Sequence, residues 1–421
     1  MSRLAQSVQW HITEACPNRC KHCYISNSSN DSRRLQELGF LDFVQILDNL
    51  SMFEQRYDVS INNFALTGGD PFVHEDFENL LAELSRRGKS IRILGIPERI
   101  TPHNIQLMQR YNVQMYQVSL DGMQETHDAI RGPGSFIRTI EAIRKLNEVS
   151  DIAPNVMFTL HSGNYQELFE LICYLDSLNM EISFSFDFLV FEGQAQKGFG
   201  LLPQEVIADI FTRYRQENLR LRAAGRKLVL REKVKLFETF DITDASKIFE
   251  KYSLIGGCSC GISSITILPN GDLYPCRRLP IVIGNLLHDD YADLFLNHPI
   301  MRKLRRISSF SYCKNCDFAK LCRGCPALAY SIFRDPFEKM PYCVYKKETS
   351  LTSSEPSLDC SAEEEFAYLT NDLASHFKRD GFLENRPAVL HDIYKRLFIL
   401  SNSTKAGSTS ALQEKASSLN P

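Results

Sequence analysis

The 421-residue chain has little excess of charge: 48 Lys and Arg face 51 Asp and Glu, a formal net charge of −3. Nucleic acid is held largely through surplus positive charge, so this balance offers no broad footprint for a phosphate backbone. Long apolar runs are also missing, and none approaches the roughly 18 residues that a membrane span requires. The first fifteen residues contain His11 and Glu14 and no apolar signal core. These absences exclude nucleic-acid and membrane partners and place the protein in the cytoplasm. What remains is ordinary globular material, 43% hydrophobic and 24% charged, which rules out a disordered, collagen-like or coiled-coil chain. At about 100–200 residues per domain, the length implies two to four domains.

Against that background thirteen cysteines stand out. Thiols stay reduced in the cytoplasm, so a disulfide framework is the wrong reading and metal binding is the default. The first two hundred residues alternate strand patterns with helical ones. The strand candidates are Val8–Thr13, Ile61–Leu66, Ser90–Leu94, Val113–Leu120, Asn155–Leu160 and Ile182–Phe188. Between them, Leu41, Val44, Leu47 and Leu50 recur at helix spacing in Phe40–Phe53, and Leu168, Leu171, Ile172 and Leu175 do so in Tyr165–Leu178. Such alternation signals βαβ units around a parallel sheet, with functional groups at the carboxyl ends of the strands. Residues 201–255 read as charged connecting helices without identifiable chemistry. Eight cysteines then fall between Cys258 and Cys343. Ser361-Ala362-Glu363-Glu364 reads as a capping box opening a helix with the stripe Phe366, Leu369, Leu373 and Phe377. A further helix is expected over 388–400 and disorder over 401–421.

Cys16, Cys20 and Cys23 form C-x3-C-x2-C directly after the first strand candidate. Three thiolates in one short loop can hold three irons of a [4Fe–4S] cluster and leave the fourth open. Zinc is the competing reading, but structural zinc takes four ligands, and His22, lying between two cysteines, would strain so small a loop. The run from Trp10 to Tyr24 resembles the signature of the radical S-adenosylmethionine (SAM) enzymes. In that family SAM chelates the open iron and an aromatic residue before the last cysteine lies near the adenine, a position held here by His22. Thr67-Gly68-Gly69-Asp70-Pro71 resembles the family's Gly-Gly-Glu-Pro segment, in which glycines let the backbone approach the SAM amino group; Asp70 replaces the usual Glu. Val118-Ser119-Leu120-Asp121-Gly122 with downstream Arg131 is similar to a segment of the peptide-modifying branch that contacts SAM's ribose and carboxylate. After the third strand, however, Leu94-Gly95-Ile96-Pro97-Glu98 stands where the family often shows Thr-Asn-Gly.

The resemblance implies an α/β protein with a partial (β/α)6 barrel, open on one side, in residues 1–200. It implies one-electron reductive cleavage of SAM to a 5′-deoxyadenosyl radical that abstracts a substrate hydrogen. The second cysteine field resembles the SPASM extension, placed at 256–346, which houses two auxiliary [4Fe–4S] clusters. By position, one would take Cys258, Cys260, Cys276 and Cys325, and the other Cys313, Cys316, Cys322 and Cys343. Cys258 and Cys260 are tight as neighbouring ligands, and without Cys258 the first cluster would have an open iron. Cys173 and Cys360 are left over, the former read as a core thiol on an apolar helix face. In sulfatase-maturing members an aspartate follows the cysteine at position 276, but here Arg277 and Arg278 follow. Formylglycine formation is therefore disfavoured, and the arginines would face an acidic peptide or a cluster's charge, or form a surface pair.

The leading expectation is a maturase that modifies a ribosomally made peptide by a thioether, a carbon–carbon crosslink or a related oxidation. The alternatives are a radical SAM enzyme acting on a haem or quinone cofactor precursor, and a metal-binding scaffold without turnover. A low-potential donor such as flavodoxin or ferredoxin is implied. The barrel starts so early that leader binding would fall to a separate protein, the SPASM surface or the helical tail at 347–421.

Overall fold

The computed structural model describes residues 5–25, 37–57, 59–149, 151–196, 198–231, 257–316, 319 and 322–343. Cys360, the capping box and the two C-terminal helices expected from sequence lie outside the described residues.

Seven parallel strands follow one another in the sheet: β1 (Ala5–Thr13), β2 (Ser60–Gly68), β3 (Ser90–Leu94), β4 (Val113–Ser119), β5 (Ala153–Leu160), β6 (Ile182–Phe188) and β7 (Leu228–Leu230). The crossovers carry helices α1 (Phe40–Tyr57), α2 (Phe77–Arg86), α3 (Pro102–Arg110), α4 (Gln124–Arg131), α5 (Ser135–Glu148), α6 (Leu168–Ser177) and α7 (Gln204–Ala223). Residues on the helix side of the strands, such as Val8, Trp10 and Ile12 on β1 or Phe184 and Phe186 on β6, are buried and form one core with the helices. The alternate residues face the concave side, so all seven strands present their carboxyl ends at one rim.

Strand β7 corrects the reading of 201–255 as helices alone. Leu228 and Leu230 are buried with Val229 exposed between them, an alternation too short to stand out among its charged neighbours. On the other side, β8 (Ser264–Ile267) pairs parallel to β1, and β9 (Asp272–Tyr274) and β10 (Gly284–Asn285) continue antiparallel. The cysteine-rich segment thus extends the sheet of the barrel. Tyr291 locks the join by donating from its hydroxyl to Gln6 Oε1 at 2.8 Å, and Asn49 on α1 donates to the Leu286 and Asp289 carbonyls.

Two helix faces differ from expectation. On α1 the buried face is Phe43, Ile46, Leu47, Leu50 and Phe53, while Leu41 is 81% exposed; two apolar stripes overlap there, and the one with the aromatics packs. On α6, Leu168, Leu171, Ile172 and Leu175 are buried as expected, but Cys173 is exposed rather than a core thiol. One residue beyond Ile172 turns the side chain about 100° round the helix, away from the sheet.

Candidate active site

The first cysteine loop is fixed by backbone hydrogen bonds to three neighbouring strand ends or helices. Asp70 N donates to Ala15 O at 2.8 Å, Lys21 N to Ile130 O at 3.0 Å, and Gln194 N to Cys23 O at 2.9 Å. Within it, the Thr13 hydroxyl accepts from Ala15 N and donates to Glu37 Oε1 at 2.6 Å. Close approach of the β2 end explains Gly68 and Gly69. A Cβ at Gly68 would stand 2.1 Å from Thr13 O, and one at Gly69 2.1 Å from Ala15 O. Gly69→Ala is accordingly expected to displace the 13–15 backbone and to lower iron retained by the first site. Iron counted after anaerobic reconstitution tests this, and full retention would refute it.

Cys16, Cys20 and Cys23 line a cavity of about 220 Å³ at the carboxyl rim. Its wall also includes His22, Gly68, Gly69, Ser119 and Arg131, together with Gly95, Gln117, Thr159, Asp187, Arg277 and Arg278. Asp70 behaves differently: it is fully buried, accepts from Phe72 N through Oδ1 at 3.2 Å and meets Arg99 Nε through Oδ2 at 2.5 Å. Its carboxylate ties two rim loops together, while Gly68 and Gly69 form the cavity wall. The Leu94–Ile96 stretch lines the cavity despite its unusual sequence.

Behind the loop lies a buried polar network centred on Asp121. Its Oδ2 accepts from Arg131 Nε at 2.5 Å and lies 2.9 Å from His22 Nε2, and its Oδ1 accepts from Thr159 N at 2.8 Å. Burial alone would raise the Asp121 carboxyl, but Arg131 and His22 outweigh it and hold it well below the usual range. Arg131 then reaches the thiol side, with NH1 3.8 Å from Cys20 Sγ. His22 therefore has its Nε2 engaged by a carboxylate. Burial raises the Cys16 and Cys20 thiols; with Cys23 they place three thiols around one cavity, which suits replacement of protons by a metal.

Arg277 and Arg278 form no surface pair. Arg278 NH1 meets Asp187 Oδ1 at 2.8 Å and donates to Phe188 O at 2.9 Å, and Arg277 lies 5.9 Å from the Tyr24 ring centroid. Burial, then Arg277, depresses His11 to about 3, so it is a neutral ring on the concave face. Sequence reasoning missed the roles of Asp121, Asp187 and His11. Asp187, at the carboxyl end of β6, was open to the strand-end rule.

Eight further cysteines gather in two groups. Cys258, Cys260 and Cys276 are joined by thiol hydrogen bonds, and Cys325 lies against Cys258 and Cys276. The bond from Cys260, followed by Arg278, brings Cys276 down to about 6. Cys313, Cys316, Cys322 and Cys343 form the second group, and burial pushes Cys313 up to about 12. Between the groups sits Arg323, 2% exposed, its guanidinium bonded to the Cys258 and Leu304 carbonyls and its Nε without a partner among the described residues. A buried cation with no carboxylate partner calls for counter-charge; cysteinate-ligated clusters supply it, so both groups fit iron–sulfur ligation.

Residues 10–172 match the radical SAM superfamily. That segment is a radical SAM domain. Residues 258–317 match the SPASM iron–sulfur cluster-binding domain, so this radical SAM enzyme joins a radical SAM domain to an iron–sulfur cluster-binding one. Over 358 residues it is 25% identical to the AdoMet-dependent heme synthase of Methanosarcina barkeri, covering 82% of this chain and 98% of that protein. The subtilosin biosynthesis protein AlbA of Bacillus subtilis is 24% identical, across 75% of this chain and 66% of its own length. Among solved structures, Streptococcus suis SuiB shares the fold with a TM-score of 0.62 at 17% identity, over 81% of this chain and 78% of that one.

Proposed function

We propose that the chain is an oxidising radical SAM maturase that acts on a ribosomally made peptide in the cytoplasm, with Cys16, Cys20 and Cys23 holding the SAM-binding cluster and the two four-cysteine groups holding auxiliary clusters. The observation that carries the oxidative part is a shared wall. Arg278 lines the cavity and bears at once on Cys325, Cys276 and Cys258. When bound, the clusters and SAM supply one-electron chemistry: reductive opening of SAM to a 5′-deoxyadenosyl radical, and an acceptor for the electron left on the substrate. The chain's own groups do the rest. Gly68 and Gly69 keep the rim open, Ser119 and Arg131 offer a hydroxyl and a cation for SAM's ribose and carboxylate, and His22 closes the adenine side.

The peptide reading draws on the likeness to the subtilosin biosynthesis protein AlbA and to the mycofactocin maturase MftC. A haem-precursor substrate is the second reading, favoured by the alignment to heme synthase across 98% of that protein. Reconstituted protein with SAM, reduced flavodoxin or dithionite and candidate precursor peptides is expected to yield 5′-deoxyadenosine in step with a peptide lighter by a pair of hydrogens. Turnover on iron coproporphyrin with peptides inert would overturn the peptide reading, and zinc content without SAM cleavage would overturn both.

A further inference from the structure

Asp187 is the only acid in the seven strands β1 to β7, and it is committed to Arg278 and Arg277 at the rim. Deeper on the same concave face stands a cation with no such partner. Arg92 lies two residues before Leu94, which lines the cavity, and the strand alternation turns both side chains to the concave side. It is half-buried, its guanidinium has no acid or hydrogen-bond partner among the described residues, and the charge that bears on it is that of another cation, Arg231. Arg231 follows β7. Its backbone N–H donates to Phe184 O at 2.7 Å and its Nε to Ser183 Oγ at 3.0 Å, so the guanidinium is held over the concave face from the far side of the sheet.

A third donor sits in the same layer. Gln9 pairs in register with Ala65, and Ala65 with Arg92. The small alanine leaves a gap between the two longer side chains, and the buried Gln9 Nε2 has no partner among the described residues. Two guanidinium groups that repel each other, beside an unpaired amide donor, constitute an arrangement with donors only; it is stable when an anion with paired oxygens joins it.

We propose that Gln9, Arg92 and Arg231 receive a carboxylate of the substrate. The inference rests on the reading of the rim cavity as the reaction centre and names the substrate class: a molecule with a carboxylate on a short apolar arm. Two residues of strand separate Arg92 from the cavity wall at Leu94, about 7 Å, a gap that an extended glutamate side chain or a propionate arm bridges together with the hydrogen bond of about 2.9 Å at its end. An anchored carboxylate would hold the carbon at the other end of that arm beside the cavity.

Two probe pairs on the anaerobically reconstituted protein with SAM test this. The first is a fluorescein-labelled Gly/Ser peptide with a single glutamate against its glutamine twin; the second is coproporphyrin III against its tetramethyl ester. In one pair the acid is expected to bind at least tenfold more tightly than its neutral form, and the pair that responds identifies the source of the carboxylate. Arg92→Gln should erase about tenfold of that preference and the exposed Arg231→Gln about threefold, with Arg92→Lys restoring part. The proposal is overturned if both acids bind no tighter than their neutral forms, a result that needs no variant, or if the preference survives in the R92Q/R231Q double variant. Wild type that prefers an acid but releases no 5′-deoxyadenosine would leave the carboxylate site standing and remove the reaction reading instead.

Discussion

Replacing Cys16, Cys20 and Cys23 together by alanine is expected to lower reconstituted iron from about twelve to about eight per chain and to abolish 5′-deoxyadenosine formation. The three thiols line one cavity, and the other eight ligand candidates lie in two separate groups. Loss at the first site should therefore leave the auxiliary iron in place. Iron and sulfide assays with chromatographic detection of deoxyadenosine measure both halves. Unchanged iron, or residual SAM cleavage in the triple variant, would refute the assignment of the loop.

Asp121→Ala should be the most damaging single change outside the cysteines. Asp121 is fully buried and accepts from Arg131 Nε and Thr159 N, with His22 Nε2 at 2.9 Å. Truncation leaves the Arg131 charge without its counter-ion and costs about 3–5 kcal/mol. SAM binding should weaken with it, since Arg131 and His22 would lose their anchor. Asp121→Asn keeps an acceptor for Thr159 N and should cost less. The acid limb separates charge from shape. Because the native carboxyl lies well below its ordinary value of about 4, its stabilising contribution is complete above that value and is lost as pH falls towards the native pKa. The gap in urea midpoint between wild type and Asp121→Asn should therefore hold steady above about pH 5 and narrow progressively once pH falls below about 4. A gap independent of pH would show that the carboxylate charge plays no part.

Much of this was legible in the chain itself. Strand–helix alternation gave six of the parallel strands to within a few residues, because each strand is apolar on its helix side and each helix carries one apolar face. The spacing of Cys16, Cys20 and Cys23, and of Gly68-Gly69 and Ser119 at later strand ends, identified the rim, because a thiol-rich loop and a glycine turn are local chemistry. Strand β7 was missed because three residues carry too little pattern against charged flanks. Cys173 was misplaced because apolar neighbours in sequence are not neighbours on a helix face.

Spatial partners were beyond the reach of spacing. Sequence could name Asp121, Asp187 and Arg323, but their meaning lies in residues ten to ninety positions away: Arg131 beside Asp121, Arg278 against Asp187, and Cys258 under Arg323. The same holds for Gln9 on β1, Arg92 on β3 and Arg231 just after β7, which share one concave face only because the sheet curves. The sequence by itself determined the class of chemistry, since that depends on which side chains occur together in short loops. The tertiary structure decided which charges are satisfied and which await a ligand, since burial and counter-ions exist only once distant strands are brought together.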